Sequence, residues 1–239
     1  MNPSVVWHGK ISPNTSNPHQ IATCGFRYRF PSRHYRLWAM PDAYYRLDNL
    51  IWRGSEAEAL QPGSLPEQLT PPWKITLLSD GSVTRHLQLM TGQTVTVECL
   101  EMQDVGLFSA QSIPGKTYIP QTEEEFRTVR RQVFLKMSDE VERPYVYASS
   151  WWRRDVVDEY LKDRSKPIWT SLSSERTELF REIIEVEHGH CGELERHFGC
   201  KGPFWARTYI FWHNQKPLTV IYEVFSPRLH EFLGPSCSL

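Results

Sequence analysis

The sequence contains no apolar run that approaches the roughly 20 residues needed to cross a bilayer. We therefore expect no membrane span. Cysteine is scarce, because the 239 residues include only five cysteines, odd in number and irregularly spaced. This pattern argues against a disulfide framework and favours a reducing compartment. The first ten residues lack a charged head followed by an apolar stretch, so no secretion signal is predicted and a cytoplasmic globular protein is expected.

Neither positive nor negative charge is in excess, since the formal net charge is -1. Such a balance favours neither nucleic acid nor an acidic partner. The chain also has no glycine-rich phosphate loop and no G-x-S-x-G turn for a nucleophilic serine. It contains no internal repeat and no low-complexity tract. These absences argue against P-loop and serine-hydrolase chemistry.

The chain is predicted to consist of an N-terminal extension, residues 1–72, and one regular domain, residues 73–239. The extension carries recurrent proline and asparagine and is expected to be partly irregular. Within it, residues 26–38 contain four arginines and no acid. This run has two interpretations, nucleic-acid binding by charge and stacking or amphipathic strands with a solvated basic face. The neutral total charge favours the second, and no nucleic-acid partner is expected.

Residues 73–239 are predicted to form an α+β domain, an antiparallel β-sheet flanked by helices. Ser82 is a natural N-cap for a helix that starts at Val83, and Gly92 can close that helix. Thr122 and Glu125 have the spacing of a capping box. Strands are predicted over residues 94–102, 128–136, 144–150, 205–212 and 218–225, and further helices over residues 151–162 and 174–188. Short turns between strands favour an antiparallel over a parallel sheet.

Two charged residues lie on apolar faces of predicted interior strands. Arg131 alternates with Val129, Val133 and Leu135 and is therefore directed inward. Glu223 lies in a strand whose two faces are both largely apolar, so it is covered whichever way it points. An unpaired charge in such a place is costly or changes its protonation state. Each group therefore needs a partner, and a bound anion would suit Arg131.

Arg207 is a third inward charge, because it shares a strand face with three aromatic residues. A structural ion pair between Arg131 and Glu223 is one interpretation of the pattern. Two inward arginines and one carboxylate, however, leave one positive charge without an ion-pair partner. A pocket for a small carboxylate needs such a charge. The free amide of Val83 at a helix N-terminus is a further donor for an anion.

A group of histidines and cysteines within thirteen residues offers the ligand types of zinc: His188, His190, Cys191, His197 and Cys200. Their spacing does not match an established zinc site. A surface helix end followed by a loop explains them without a metal. The favoured interpretation therefore includes no metal.

Four segments of the chain resemble chorismate lyases. Leu77 to Arg85 resembles their early loop and helix start, and Arg131 to Leu135 resembles their Arg-Glu-Ile-Leu-Leu strand. Lys166-Pro167-Ile168 and the residues up to Ile183 are similar to a Lys-Thr-Pro-Leu segment and the helix after it. Trp205 to Pro227 resembles the C-terminal hairpin of the family. Two further motifs resemble those of the family's divergent branch, which is found in photosynthetic prokaryotes and plastids. These motifs are Asp-Gly-Ser-x-Thr-Arg-His-Leu and Ala-Ser-Ser-Trp-Trp.

This resemblance covers about residues 73–229 and implies a chorismate lyase-like fold with a buried product pocket and no cofactor. It implies a lyase that converts chorismate to 4-hydroxybenzoate and pyruvate for prenylquinone biosynthesis, such as that of plastoquinone. The small-molecule substrate is then chorismate, and a monomer is expected.

The resemblance also implies roles for individual residues. Arg131 would bind the ring carboxylate region, Glu223 would meet the 4-hydroxyl end, and backbone amides near Val83 and Ile168 would add contacts. Arg207 is expected to bind substrate as well. A desolvated Glu223 could hold a proton and assist departure of the ether oxygen, or it could only position the hydroxyl.

The chain departs from the family at several places. Ser149 lies near a family arginine, residues 185–203 look like an insertion, and residues 1–70 have no counterpart. A non-catalytic sensor of an aromatic acid is therefore the alternative function, since some bacterial regulators use this fold for ligand binding. Those regulators carry a helix-turn-helix domain, which residues 1–70 do not show. A third interpretation makes residues 1–70 a partner-docking or nucleic-acid arm on an inert domain.

Overall fold

The computed structural model describes residues 35–37, 44–66, 69–108, 118–120, 126–138, 143–160 and 179–236. All of these residues fall in one unit of the chain, residues 34–239. No helix within these ranges has both the length and the hydropathy of a membrane span.

A seven-stranded antiparallel sheet forms the centre of the unit. Its strands are β2 (Asp48–Gly54), β3 (Val95–Phe108), β5 (Phe126–Met137), β6 (Val146–Arg153), β7 (Phe180–His190), β8 (Phe204–His213) and β9 (Lys216–Phe225). Their spatial order is β2-β7-β8-β9-β6-β5-β3, and each neighbouring pair is antiparallel. Two short strands, β1 (Tyr35–Leu37) and β4 (Tyr118–Pro120), pair with each other. The predicted antiparallel α+β class is confirmed.

The helices of the described residues are short. They are α1 (Glu56–Ala59), α2 (Pro71–Leu78), α3 (Val83–Thr91), α4 (Arg154–Tyr160), α5 (Gly192–Phe198) and α6 (His230–Leu233). Helix α3 has the predicted ends: the Ser82 side chain accepts a hydrogen bond from the Arg85 amide at 3.3 Å. Gly92 closes the helix with a φ of 70°, a left-handed conformation that glycine adopts without strain.

Both faces of the sheet are covered. On the first face, which carries Arg131 and Glu223, the core includes residues of α2, α3 and α6: Trp73, Leu77, Leu87 and Leu233. On the second face, the core includes residues of α5 and of the segment before β2: Leu47, Leu194 and Phe198. Because strand residues alternate between faces, Arg130 points to the second face, where it pairs with Glu101 at 2.7 Å.

One predicted helix proves to be a strand. The helical spacing of Leu179, Ile183 and Val186 suggested a helix over residues 174–188, but residues 180–190 form β7. A register shift between Ile183 and Glu185 inserts an extra residue into the strand. Ile183 and Val186 therefore both contribute to the first-face core, three residues apart, as they would in a helix.

Two predicted boundaries also change. The helix expected from residue 151 begins at Arg154, because Trp151 and Trp152 are buried residues of β6. The domain does not begin at residue 73, since β2 is an edge strand of the sheet and pairs with β7. Residues 44–66 thus belong with the sheet rather than with an extension. The capping box at Thr122 and Glu125 lies outside the described residues.

Candidate functional site

A cavity lies between the first face of the sheet and the N-terminal end of α3. Its strand residues are Val97, Arg131, Val133, Leu135, Ala148, Ser150, Arg181, Tyr209, Phe211, Ile221 and Glu223, and its helix-end residues are Ser82, Val83 and Thr84. The volume of this cavity that is open to the centre of a water molecule is about 50 Å³. One water needs only ~10–15 Å³ on this measure. The cavity therefore suits a small molecule rather than a nucleotide.

Arg131 lies at one end of a row of side chains that crosses four strands. Cross-strand pairing aligns Arg131 on β5 with Ser150 on β6, Ile221 on β9 and Tyr209 on β8. Only 1% of Arg131 is exposed. Burial lowers the pKa of its guanidinium, while a hydrogen bond with Cys99 acts in the opposite direction. An arginine remains charged under such conditions, so the cavity holds a fixed positive charge at this end.

Glu223 lies on the next row and is held by two donors. Arg207 stands directly opposite it on β8, and Arg207 Nε donates to Glu223 Oε2 at 2.8 Å. The Tyr209 hydroxyl donates to Glu223 Oε1 at 2.9 Å. Burial, together with the charge of Glu223, raises the pKa of Tyr209, so the phenol keeps its proton. Both carboxylate oxygens therefore accept hydrogen bonds from the protein, an arrangement that suits the ionised form.

Arg207, which is predicted to bind substrate, is not among the residues that line this cavity. Its Nη1 donates to the carbonyl oxygens of Thr76 at 2.7 Å, Leu77 at 3.4 Å and Ser79 at 3.3 Å. The last carbonyls of a helix lack intrahelical donors, and an arginine can satisfy them. Arg207 thus joins Glu223 to the C-terminal end of α2 and positions the carboxylate.

Val83 is the first residue of α3 and lines the cavity beside Thr84. The first amides of a helix have no intrahelical acceptor. In α3, the Ser82 side chain satisfies the amide of Arg85 and leaves the amide of Val83 to other acceptors. The partial positive charge of a helix N-terminus favours an anion at this place.

Arg181, which the sequence analysis missed, also lines the cavity. It lies on β7 opposite Phe211, and 7% of it is exposed. Its guanidinium carbon is 4.4 Å from the ring centre of Tyr209 and 4.7 Å from that of Phe211. Its Nη1 donates to the carbonyl oxygen of Gly81. The sequence identifies Arg181 as inward-facing only if residues 180–190 are read as a strand. The bulge in β7 interrupts the two-residue alternation that would have indicated a strand.

The structure thus brings three of the five predicted site residues to one cavity: Arg131, Glu223 and Val83. Arg207 stands behind Glu223, and Ile168 lies outside the described residues. Within the ranges that the structure describes, no group of three or more His, Cys, Asp or Glu residues could hold a metal ion. His188, one of the suggested zinc ligands, instead stacks on Trp205 with 4.2 Å between ring centres.

The fold and the site together define an α+β domain with a small cavity. Two arginines and one carboxylate line this cavity, which is therefore suited to a small molecule. The chain belongs to a family described as Rv2949c-like chorismate pyruvate-lyase, whose model matches residues 77–233. The resemblance to chorismate lyases is therefore confirmed.

Relatives of known sequence include two proteins described as uncharacterized protein ycf21. The one from Cyanophora paradoxa is 33% identical over 178 residues, which cover 74% of this chain and 88% of that protein. The one from Porphyra purpurea is 32% identical over 160 residues, which cover 67% of this chain and 83% of that protein.

Similar solved structures include two domains of bacterial proteins. The effector domain of PhnF from Mycobacterium smegmatis matches with a TM-score of 0.46 and 8% identity, over 64% of this chain and 92% of that one. The C-terminal domain of the histidine utilization repressor from Pseudomonas syringae matches with a TM-score of 0.41 and 14% identity, over 61% and 95% of the two chains. Both likenesses are too distant to carry an argument about function.

Proposed function

We propose that this protein is a chorismate pyruvate-lyase that converts chorismate to 4-hydroxybenzoate and pyruvate. The observation that carries the proposal is the placement of Arg131 and Glu223 in one cavity, on two strands that only β6 separates. A ring with a carboxylate at one end and a hydroxyl at the other matches this placement. Membership in the family supports the same reaction.

The reaction is an elimination that consumes no other reactant. The bond between a ring carbon and the ether oxygen of the enolpyruvyl group breaks, and the neighbouring carbon, which bears the hydroxyl, loses its proton. The ring becomes aromatic, which provides the driving force. The enolpyruvate that leaves takes up a proton and becomes pyruvate. Atoms and electrons balance without an oxidant or reductant, so the proposal includes no cofactor.

In the proposed complex, Arg131 binds the ring carboxylate, and the amide of Val83 adds a further contact with the substrate. Glu223 accepts a hydrogen bond from the ring hydroxyl and orients the ring. The apolar side chains of Val133, Leu135 and Ile221 keep water from the reacting bonds. A further contact from the amide of Ile168 is proposed from the family motif alone. Glu223 acts as an acceptor in this scheme rather than as the acid.

The proposal places the product in prenylquinone biosynthesis, such as that of plastoquinone, and the protein in the cytoplasm as a monomer. Its test is incubation of the purified protein with chorismate, without added metal or nucleotide, followed by chromatography. We expect 4-hydroxybenzoate and pyruvate in equal amounts. Arg131→Ala should lower kcat/KM by about 100-fold, because a charge-assisted contact is lost. Absence of both products with the unchanged protein would refute the proposal.

A matched control for this experiment is Arg196→Ala. Arg196 lies on α5, which packs on the second face of the sheet, and its side chain is 74% exposed. This variant removes the same charge without reaching the cavity, so its turnover should equal that of the unchanged protein. Loss of turnover in both variants would show that net charge, rather than the site, governs the result.

One observation favours a second candidate, a non-catalytic domain that binds an aromatic acid. Both oxygens of Glu223 accept hydrogen bonds from the protein, and the described cavity residues include no histidine, lysine or second carboxylate. Such a site could hold 4-hydroxybenzoate without turnover. Calorimetry that shows tight binding of 4-hydroxybenzoate, together with no product from chorismate, would favour this candidate.

A further inference from the structure

We infer that Arg181 forms a second anion-binding position in the cavity and selects ligands with two carboxylates over ligands with one. The inference deepens the proposed function and rests on it, because it assigns the second carboxylate of the substrate to a residue. Its basis is the charge balance of the first face and the surroundings of Arg181.

Positive charge exceeds negative charge on the first face of the sheet. Among the described residues, three buried arginines share this face with one buried carboxylate: Arg131, Arg181 and Arg207 with Glu223. Arg207 takes Glu223 as its ion-pair partner. Arg181 pairs with no carboxylate in the described part of the chain, although the charges of Arg207, Glu223 and Asp80 are near enough to act on it. A buried cation of this kind is stabilised by an anion that enters the cavity.

The groups that directly contact the Arg181 guanidinium are neutral. Its guanidinium lies over the rings of Tyr209 and Phe211, and Nη1 donates to the Gly81 carbonyl oxygen. Its Nε is buried and has no acceptor among the described residues. A buried N–H without an acceptor costs free energy that a ligand oxygen would recover. Arg181 therefore has donor capacity for a ligand that the protein leaves unused.

The two cavity arginines are attached to strands that lie far apart in the sheet. Arg181 lies on β7 and Arg131 on β5, with β8, β9 and β6 between them. At a strand spacing of about 4.8 Å, their backbones are separated by about 19 Å. Side chains stand roughly perpendicular to a sheet, so much of this separation remains between the two guanidinium groups. The arrangement suits one ring with two anionic groups, one at each end.

The proposed substrate has this chemistry, and its aromatic product does not. Chorismate carries one carboxylate on the ring and one on the enolpyruvyl group, whereas 4-hydroxybenzoate keeps only the first. With Arg131 on the ring carboxylate, Arg181 binds the carboxylate of the departing group. Cleavage of the ether then separates the two anions, so the aromatic product keeps only one of the two ionic contacts.

The test compares two unreactive ligands by calorimetry. One is 4-hydroxybenzoate, and the other is 3-(carboxymethoxy)-4-hydroxybenzoate, which adds a second carboxylate through an ether on the ring. The unchanged protein should bind the dicarboxylate at least about 10-fold more tightly. Arg181→Leu should abolish this preference and leave 4-hydroxybenzoate binding within about twofold. Arg181→Lys should restore part of the preference, and Arg196→Leu should leave it unchanged.

Three results would overturn the inference: no preference in the unchanged protein, a preserved preference in Arg181→Leu, or an equal loss for both ligands. The first of these needs no variant, so the test stands even if Arg181→Leu does not fold. If the preference depends on Arg181 but chorismate is not turned over, the lyase proposal fails and the second anion position stands. If Arg181→Leu turns chorismate over with an unchanged KM, the lyase proposal stands and the inference about Arg181 fails.

Discussion

Arg207 and Glu223 face each other across β8 and β9, with 2.8 Å between Nε and Oε2. Their side chains are 0% and 4% exposed. Such a pair is stable as a unit, because removal of one partner leaves an uncompensated buried charge. Arg207 also donates to carbonyl oxygens at the end of α2, so the pair links the sheet to the segment that precedes α3.

Loss of one member of this pair should destabilise the fold. Arg207→Leu is expected to lower the free energy of unfolding by about 3–5 kcal/mol, because Glu223 remains buried without its partner. The double variant Arg207→Leu/Glu223→Leu should recover most of the loss, since neither charge is then buried. Urea unfolding measures both values. A double variant no more stable than Arg207→Leu would contradict the interpretation.

Removal of a single backbone donor should weaken ligand binding. Val83→Pro deletes the amide hydrogen at the first position of α3, where proline is tolerated. The ψ of 123° at Ser82 is compatible with a following proline. We expect about tenfold weaker binding of 4-hydroxybenzoate in calorimetry. The change in unfolding free energy should stay within about 1 kcal/mol.

Val83→Ala is the matched control for that variant, because it shortens the same side chain and keeps the amide hydrogen. Its affinity for 4-hydroxybenzoate should remain close to that of the unchanged protein. An equal loss in both variants would assign the effect to the side chain of Val83 instead of its amide.

The hydroxyl of Tyr209 should matter for turnover more than for folding. Tyr209→Phe removes one of the two donors to Glu223. It should lower kcat about tenfold, because the carboxylate is less well oriented, and cost about 1 kcal/mol of stability. Tyr147→Phe removes a buried hydroxyl that donates to Gln132 on the second face. That variant should lose similar stability and keep its kcat; equal kinetic losses would argue against a specific role for Tyr209.

Glu185 should make stability depend on pH. Burial, followed by the charge of Glu187, raises the pKa of Glu185 from 4.5 to about 7, against the opposing effect of Arg53 at 3.0 Å. The folded state then binds the proton more tightly than the unfolded state. The resulting stabilisation is complete below about pH 4.5 and is lost as the pH rises through about 7.

Glu185→Gln should therefore reduce the fall in unfolding free energy between about pH 5 and pH 8, by up to about 3 kcal/mol. Urea unfolding at several pH values measures this slope. Glu193→Gln makes the same substitution at a more exposed side chain on α5, which is 55% exposed, and should leave the slope unchanged. A slope in Glu185→Gln equal to that of the unchanged protein would exclude Glu185 as its source.

Local patterns predicted the parts of the site that depend on neighbouring residues. The alternation around Arg131 predicted its inward direction, because β5 keeps its two-residue period along that stretch. Ser82 and Gly92 predicted both ends of α3 through capping chemistry, which acts within a few residues. The conformation of such residues depends mainly on their neighbours in the sequence, so the sequence alone predicts it.

Other features depended on contacts between distant parts of the chain. The direction of Arg207 followed from its strand, but its acceptors at the end of α2 lie about 130 residues away in sequence. Arg181 was hidden by the bulge in β7, which replaces the strand period with a helix-like spacing. Strand β2 was missed because it is an edge strand with four consecutive exposed residues, so it shows no alternation.

Strand β5 presents adjacent arginines to opposite faces: Arg131 lines the cavity, while Arg130 pairs with Glu101 behind it. Insertion or deletion of one residue in this strand would exchange the two faces over its remaining length. The cavity would lose Arg131, and the carboxylate of Glu101 would lose its partner. Length variation among natural or engineered forms of this strand should therefore occur in pairs of residues or fall outside the strand.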